Sequence, residues 1–178
     1  MGGNVETDRE GRDRSDLQML GLQNELIMRI CETGKPVVLC LFGEKLYAIP
    51  EIYEKVNASF LCWNLGQETG NALAAVLFGD SNPGGKLTVS ILVSTGHLQC
   101  YYNKKPTAYG RSYYYESYTG GSIYPFGYGL NYTSLNINKI RLLKSTIGKT
   151  ETIKIWADVS NTGDGTAPKS YRCISAIL

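Results

Sequence analysis

Apolar residues come in two rhythms along this chain. Leu22, Leu26 and Ile30 recur every fourth residue, and Ile27 widens the stripe. That is the spacing of one helix face. Ser15-Asp16-Leu17-Gln18 fits a capping box ahead of it. Gly34 and Pro36 supply a stop. The pattern predicts a helix over residues 15–34. "VVLCLF" (37–42) follows as an unbroken apolar run between Pro36 and Gly43, which predicts a strand covered on both faces. "ASFLCW" (58–63) repeats the pattern. "YAIPEIYEKV" between them predicts a short helix. "QETGNALAAVLFG" after Gly66 predicts another, with Gly70, Ala72, Ala74 and Ala75 small enough to lie close on a sheet. Helices alternating with strands imply a parallel sheet with helices on its faces. "GDSNPGGKL" (79–87) is dense turn chemistry, and "LTVSILV" then predicts a last strand.

The rhythm changes at residue 94. As far as about residue 134 Tyr is dense, Gly is frequent and no 3.6-residue period holds. A connection of this length is usually functional or an interdomain linker. "SLNINKIRLL" and "ETIKIWADVSN" then alternate polar and apolar residues, a half-exposed β pattern. The expected division is residues 1–95 as part of an α/β sandwich, 96–134 as a Tyr/Gly-rich linker, and 135–178 as an all-β segment with too few strands to close.

Composition adds mainly exclusions. The 178 residues are 43% hydrophobic and 19% charged, a globular balance. A net charge of +2 gives no reason to expect nucleic acid or an anionic membrane as partner. No run of 18 apolar residues offers a transmembrane helix, and no signal peptide is recognisable. Cys31, Cys40, Cys62, Cys100 and Cys173 contain no C-x-x-C pair, so a zinc site is not expected. Cys31, Cys40 and Cys62 lie in apolar runs and read as small buried hydrophobes. The polar start and the apolar "CISAIL" end are abrupt, and a piece of a longer protein is expected.

Four segments carry a resemblance: "EGRDRSDLQMLGLQNELI", "GKPVVLCLFGEKL", "CWNLGQETGNALAAVLFGDSNPGGKLTVS" and "YPFGYGLNYTSL". In this order they resemble the C-terminal half of glycoside hydrolase family 3 enzymes, the β-glucosidase and β-xylosidase group. "ADVSNTG" is similar to the opening of the fibronectin-type-III-like domain that follows in many members. The resemblance implies a partial α/β sandwich, then a truncated fibronectin-type-III-like segment. It also implies a retaining exo-acting β-glycosidase hydrolysing terminal β-linked glucose or xylose. Its nucleophilic Asp would sit in a TIM barrel that this chain lacks, and this chain alone would be inactive. An oligosaccharide or aryl glycoside is the implied substrate. No cofactor is implied, and a periplasmic or secreted location is suggested.

Retaining hydrolysis needs two carboxyl groups about 5–5.5 Å apart, one attacking and one acting as acid, then base. By resemblance the acid/base lies in the segment leading into the first helix. Glu10 in "REGRDR" is the first choice, Glu6 the runner-up and Asp8 a third. Arg9 beside Glu10 would lower its pKa and oppose that role unless it points elsewhere. Asp13 and Asp16 read as structural acids near a helix start. The chain departs from the family pattern at Gly43-Glu44-Lys45-Leu46, where Asn-Gly-x-Pro is usual, at Ile91-Leu92 for Phe-Pro, at Leu98-Gln99 for Leu-Pro, and beyond Ala167.

Trp63 could be a sugar platform, with core the preferred reading. Glu68 is expected to serve a helix terminus. Asp80 and Asn82 are expected to bond their own turn, and Lys86 to form a structural ion pair. His97, the single histidine, has no Ser or Cys nucleophile at a recognisable spacing. Tyr101, Tyr102, Tyr113, Tyr114 and Tyr115 fit an aglycone subsite or, preferably, linker contacts. A non-catalytic carbohydrate-binding or scaffold module is the alternative function. A nucleotide-binding domain lacks its glycine motifs here.

Overall fold

A computed structural model describes residues 1–97, 100–103 and 122–165. The departure at Leu98-Gln99, the tyrosines at 113–115, Cys173 and the end beyond Ala167 fall outside them. The chain forms two compact units. One is Met1–Gly70 with Leu87–Tyr128, the other Asn71–Lys86 with Gly129–Leu178.

In the first unit, α1 (Gln23–Cys31), β1 (Val38–Phe42), α2 (Pro50–Lys55) and β2 (Ala58–Trp63) follow one another. β1 and β2 pair in parallel, Cys40 opposite Phe60. α2 starts on Pro50, whose fixed φ suits a first helical turn. Alternate β1 residues Leu39 and Leu41 are buried. They join Met19, Ile27, Tyr47, Ile49, Ile52, Tyr53 and Ile91 in one core. Cys62 is also buried. Burial, with the neighbouring Cys40 thiol, pushes its pKa up to about 11, and burial raises that of Cys40 as well. Both thiols are therefore neutral hydrophobes at ordinary pH.

α1 starts eight residues later than the capping box implied, and Leu22 at its N-cap makes no side-chain cap. The reason is local. The Asp16 carboxylate accepts from Gln18 N–H at 2.9 Å, closing a turn, while Gly21 sits at φ +60°. Leu17 N–H goes to Thr95 Oγ1 and Ala48 N–H to Leu17 O, so this segment is spent on tertiary bonds. Gly34, at φ +71°, ends the helix as expected. The predicted apolar stripe divides: Ile27 is 2% exposed, whereas Leu22, Leu26 and Ile30 stay exposed. Ile27 and Ile30 border an open apolar cleft of about 260 Å³ beside β1, with Val38, Cys40 and Phe42.

"LTVSILV" is not a strand. Ile91 forms a single antiparallel bridge with Tyr124, flanked by Leu87–Tyr128 and Gly127–Leu87 backbone bonds. The edge-on contact of Tyr53 with Tyr124, 5.5 Å between rings, and the stacking of Tyr124 on Tyr128 at 4.7 Å hold this crossing on the core.

α3 (Thr69–Leu77), entered through a 3-10 turn at Gly66–Glu68, opens in the first unit and runs on in the second. There β3 (Leu135–Leu142) and β4 (Ile155–Asn161) pair antiparallel with a register slip between Asn138 and Arg141. Asn82 does not spend its side chain on its own turn. Its Oδ1 accepts Tyr132 N–H at 2.8 Å, and Tyr132 O–H donates to Val76 O at 2.8 Å. Lys86 donates from Nζ to Gly129 O. The "SNPGGK" and "YGLNYT" motifs are therefore two sides of one hydrogen-bonded joint.

Candidate active site

The two parallel strands end at the same edge. A third extended stretch joins them there: Gly2 bridges Phe42 in parallel, Phe42 N–H donates to Met1 O at 2.9 Å and Gly3 N–H to Phe42 O at 3.1 Å. The Gln23 side chain fastens Gly2 from the other side, accepting its N–H at 2.7 Å. The loops after residue 3, after β1 and after β2 therefore leave the sheet side by side. This is where ligand sites form on open parallel sheets.

The first of these loops carries the candidate acids. It begins in a turn closed by Asn4, whose Oδ1 accepts Glu6 N–H at 2.9 Å and whose carbonyl accepts Asp8 N–H at 2.8 Å. Glu6 and Glu10 are both exposed. Arg12 N–H bonds Arg9 O at 3.1 Å, and Gly11 at φ +72° lets the chain reverse between them. Neither the Glu10 nor the Arg9 side chain makes a hydrogen bond or ion pair among the described residues, so no Arg9–Glu10 pair forms there.

Asp8 behaves otherwise. Its side chain is 6% exposed and faces Lys45 Nζ at 3.6 Å. Its Oδ2 accepts Glu44 N–H at 2.9 Å, while Oδ1 accepts no hydrogen bond. A Cβ built on Gly3 or on Gly43 would run into this carboxylate. That accounts for the departure at Gly43: the Asp8 carboxyl fills the space a side chain at residue 43 would need, and Gly43 holds φ +116°, closed to ordinary L residues. A buried carboxylate needs such a countercharge, and here Lys45 and the Glu44 N–H tie it to the loop after β1.

Lys45 also donates to Thr7 O and, at 2.8 Å, to Arg12 O. Asn64, just beyond β2, donates from Nδ2 to Glu44 Oε1 at 3.1 Å, which ties the third loop to the second. Sequence reasoning treated 43–46 only as a departure, gave no role to Lys45 or Asn64, and weighed Asp8 only as a third candidate acid. Their partners lie 20 to 38 residues away, and no local signal marks them.

Trp63 is half-buried, at φ +51°, opposite Phe42 where the strand register slips. It is neither the open platform nor the full core residue of the two readings. Glu68 closes the turn before α3. Asp16 is bound by Arg14 at 2.9 Å. His97 is buried at 3% exposure, which removes it from surface chemistry. Tyr102 rests on Phe126, 4.6 Å between rings. Among the described residues no group of three His, Cys, Asp or Glu side chains could hold a metal ion. None of their helices is long and apolar enough to cross a membrane.

Residues 1–132 match the glycosyl hydrolase family 3 C-terminal domain. The chain belongs to that family. Among its relatives, a β-xylosidase of Formosa agariphila is 36% identical over 166 residues, covering 92% of this chain and 23% of its own length. A periplasmic β-glucosidase of Salmonella typhimurium is 35% identical, covering 86% of this chain and 21% of its own length. A solved β-glucosidase of Erythrobacter marinus superposes with a TM-score of 0.82 at 35% identity, over 92% of this chain and 22% of that one. The β-glucosidase of Listeria innocua in complex with glucose superposes at 0.84 with 28% identity, over 92% and 24%. The chain thus spans less than a quarter of the length of each of these relatives, all four of them glycosidases by name.

Proposed function

We propose that this chain is the acid/base-bearing part of a retaining β-glycosidase acting on terminal β-linked glucose or xylose. Glu10 is the proton donor. Nucleophilic attack comes from an Asp on a TIM barrel in the remainder of the protein. In the first step Glu10 protonates the leaving glycosidic oxygen as the carboxylate attacks. In the second it takes a proton from the water that releases the sugar.

The observation that carries this reading is the contrast among three acids on one loop. Asp8 is consumed by Lys45 and Glu44 N–H. Glu6 belongs to the Asn4 turn through its backbone. Glu10 stands exposed at the reversal between Arg9 and Arg12, its carboxylate, like that of Glu6, without a partner among the described residues. The relatives' names and the sugar complex of a structural neighbour support the substrate class. Within this reading residues 1–95 belong to the α/β sandwich, 96–134 to the linker, and 135–178 open a fibronectin-type-III-like domain, of which the β3–β4 pair is the start.

The test joins this chain to the barrel-bearing remainder of the Formosa agariphila β-xylosidase, in place of that enzyme's own segment. Glu10→Gln should cut turnover about 100-fold or more for alkyl glycosides, whose leaving groups need protonation. It should cut turnover far less for 2,4-dinitrophenyl glycosides, and azide should restore rate as the glycosyl azide forms. Unchanged kinetics would remove Glu10. Retention of xylan by this chain alone, equal with and without Glu10, would favour the binding-module alternative.

A further inference from the structure

We propose that Lys45 is a positioning residue for Glu10, a tie that holds residues 7–12 in one conformation. The proposal rests on reading Glu10 as the acid/base. An ammonium has three N–H donors and no acceptor, and Lys45 has three oxygen partners. They are Thr7 O, Arg12 O at 2.8 Å and the Asp8 carboxylate at 3.6 Å. Thr7 lies three residues before Glu10 and Arg12 two residues after it. One cation therefore gathers both ends of the short excursion that carries the acid.

Among the described residues no other side chain bonds both Thr7 and Arg12. Within the excursion the other described bonds are the Arg12–Arg9 turn, the Asp8 contacts and the Asn4 turn, which holds Thr7 but does not reach Arg12. Arg9, Glu10, Gly11 and Arg12 are all exposed and bury no side chain that could anchor them. Lys45 itself is fixed, because it stands three residues beyond β1 with the neighbouring Glu44 backbone bound to Asp8 and the Glu44 side chain bound to Asn64. The tie is also asymmetric in charge. Asp8 neutralises Lys45, and no ion pair joins Lys45 to Glu10 among the described residues. A proton donor must come within about 2.6–3.2 Å of the oxygen it serves, and a misplacement of about 1 Å costs on the order of 100-fold in rate. Holding both ends of the loop is how this fold meets that tolerance.

Two experiments test the tie. The first uses the 178-residue chain and needs no activity: amide exchange of residues 7–12, read by mass spectrometry, with the β1 amides as the control for folding. Lys45→Met should speed exchange in the loop at least tenfold and leave β1 unchanged, while Lys45→Arg, which restores a multi-donor cation, should return it toward the parent. Should Lys45→Met fail to fold, Lys45→Gln, which can bond one carbonyl, replaces it with the same expectation. Equal loop protection in parent and variant would overturn the proposal.

The second uses the barrel-joined enzyme. Lys45→Met should lower kcat for alkyl glycosides by ~100-fold with little change in KM or in the rate on 2,4-dinitrophenyl glycosides, and Lys45→Arg should recover it. A uniform loss on both leaving groups would mean a purely structural role and would also overturn the proposal. Glu10→Gln is run beside it. If that variant is fully active, the reading of Glu10 has failed. If it is impaired and Lys45→Met is not, the tie alone has failed.

Discussion

Tyr53 offers a substitution that should stabilise the protein. The residue is 8% exposed and meets Tyr124 edge-on, yet its hydroxyl is buried with no hydrogen-bond partner among the described residues. Leaving such a group unpaired costs about 1–3 kcal/mol. Tyr53→Phe keeps the ring and the aromatic contact and removes the orphan. The void left is the size of one oxygen, a loss of a few tenths of a kcal/mol at about 24 cal/mol per Å³. The net gain is therefore about 1 kcal/mol, or roughly 2–4 °C in Tm for a chain of this size.

A second readout comes from pH. Burial, reinforced by Tyr124 and Tyr47 nearby, raises the Tyr53 pKa far above its ordinary value. The folded state thus holds this proton more tightly than the unfolded state. Its contribution is constant below pH ~10, and above that the unfolded chain gains by ionising, up to about 1.4 kcal/mol per pH unit. The Phe variant has no such loss, so its advantage should widen from pH 10 upward. Urea unfolding of both proteins at pH 7, 9, 10 and 11 measures each term. A variant less stable by 1 kcal/mol or more at pH 7, or an advantage that stays flat with pH, would refute the reasoning.

Two more perturbations probe the core and the loop anchor. Leu41→Ala, at a site 1% exposed, should cost about 2–5 kcal/mol, read as a lower urea midpoint with the same slope. Gly43→Ala should also destabilise, through φ strain and collision with Asp8, and Asp8→Gly should relieve the second part. A double-mutant cycle should then give a coupling of about 0.5–3 kcal/mol, and simple additivity would mean that the Asp8 carboxylate does not occupy that space.

How much of this was legible in the sequence depended on the range of the physics involved. β1, β2, α2 and α3 were readable because their signals are local: unbroken apolar runs, a Pro at a first turn, a small-residue helix. The stop at Gly34 was readable for the same reason. The start of α1 was not. A capping box and an Asx turn draw on the same residues, and Gly21 with the Thr95 and Ala48 bonds decided between them. "LTVSILV" had the composition of a strand but found only the partner at Tyr124, since a strand exists only when a neighbour completes its ladder. Asn82 looked like a residue of its own turn because a turn is what sequence shows, whereas its partner at Tyr132 is 50 residues on.

By itself the sequence determined the order of helices and strands, the glycosidase-like motifs and the existence of an acidic loop at the chain's start. By resemblance it put Glu10 ahead of Glu6 and Asp8, but it could not show what any of the three touches. Only the tertiary structure set Asp8 apart, by bringing Lys45 and the side-chain-free surface of Gly3 and Gly43 against it. The physical reason is desolvation: a carboxylate drawn out of water must find a cation and hydrogen-bond donors. Asp8 finds these in Lys45 and the Glu44 N–H, while Glu10 stays exposed on a loop whose two ends are held.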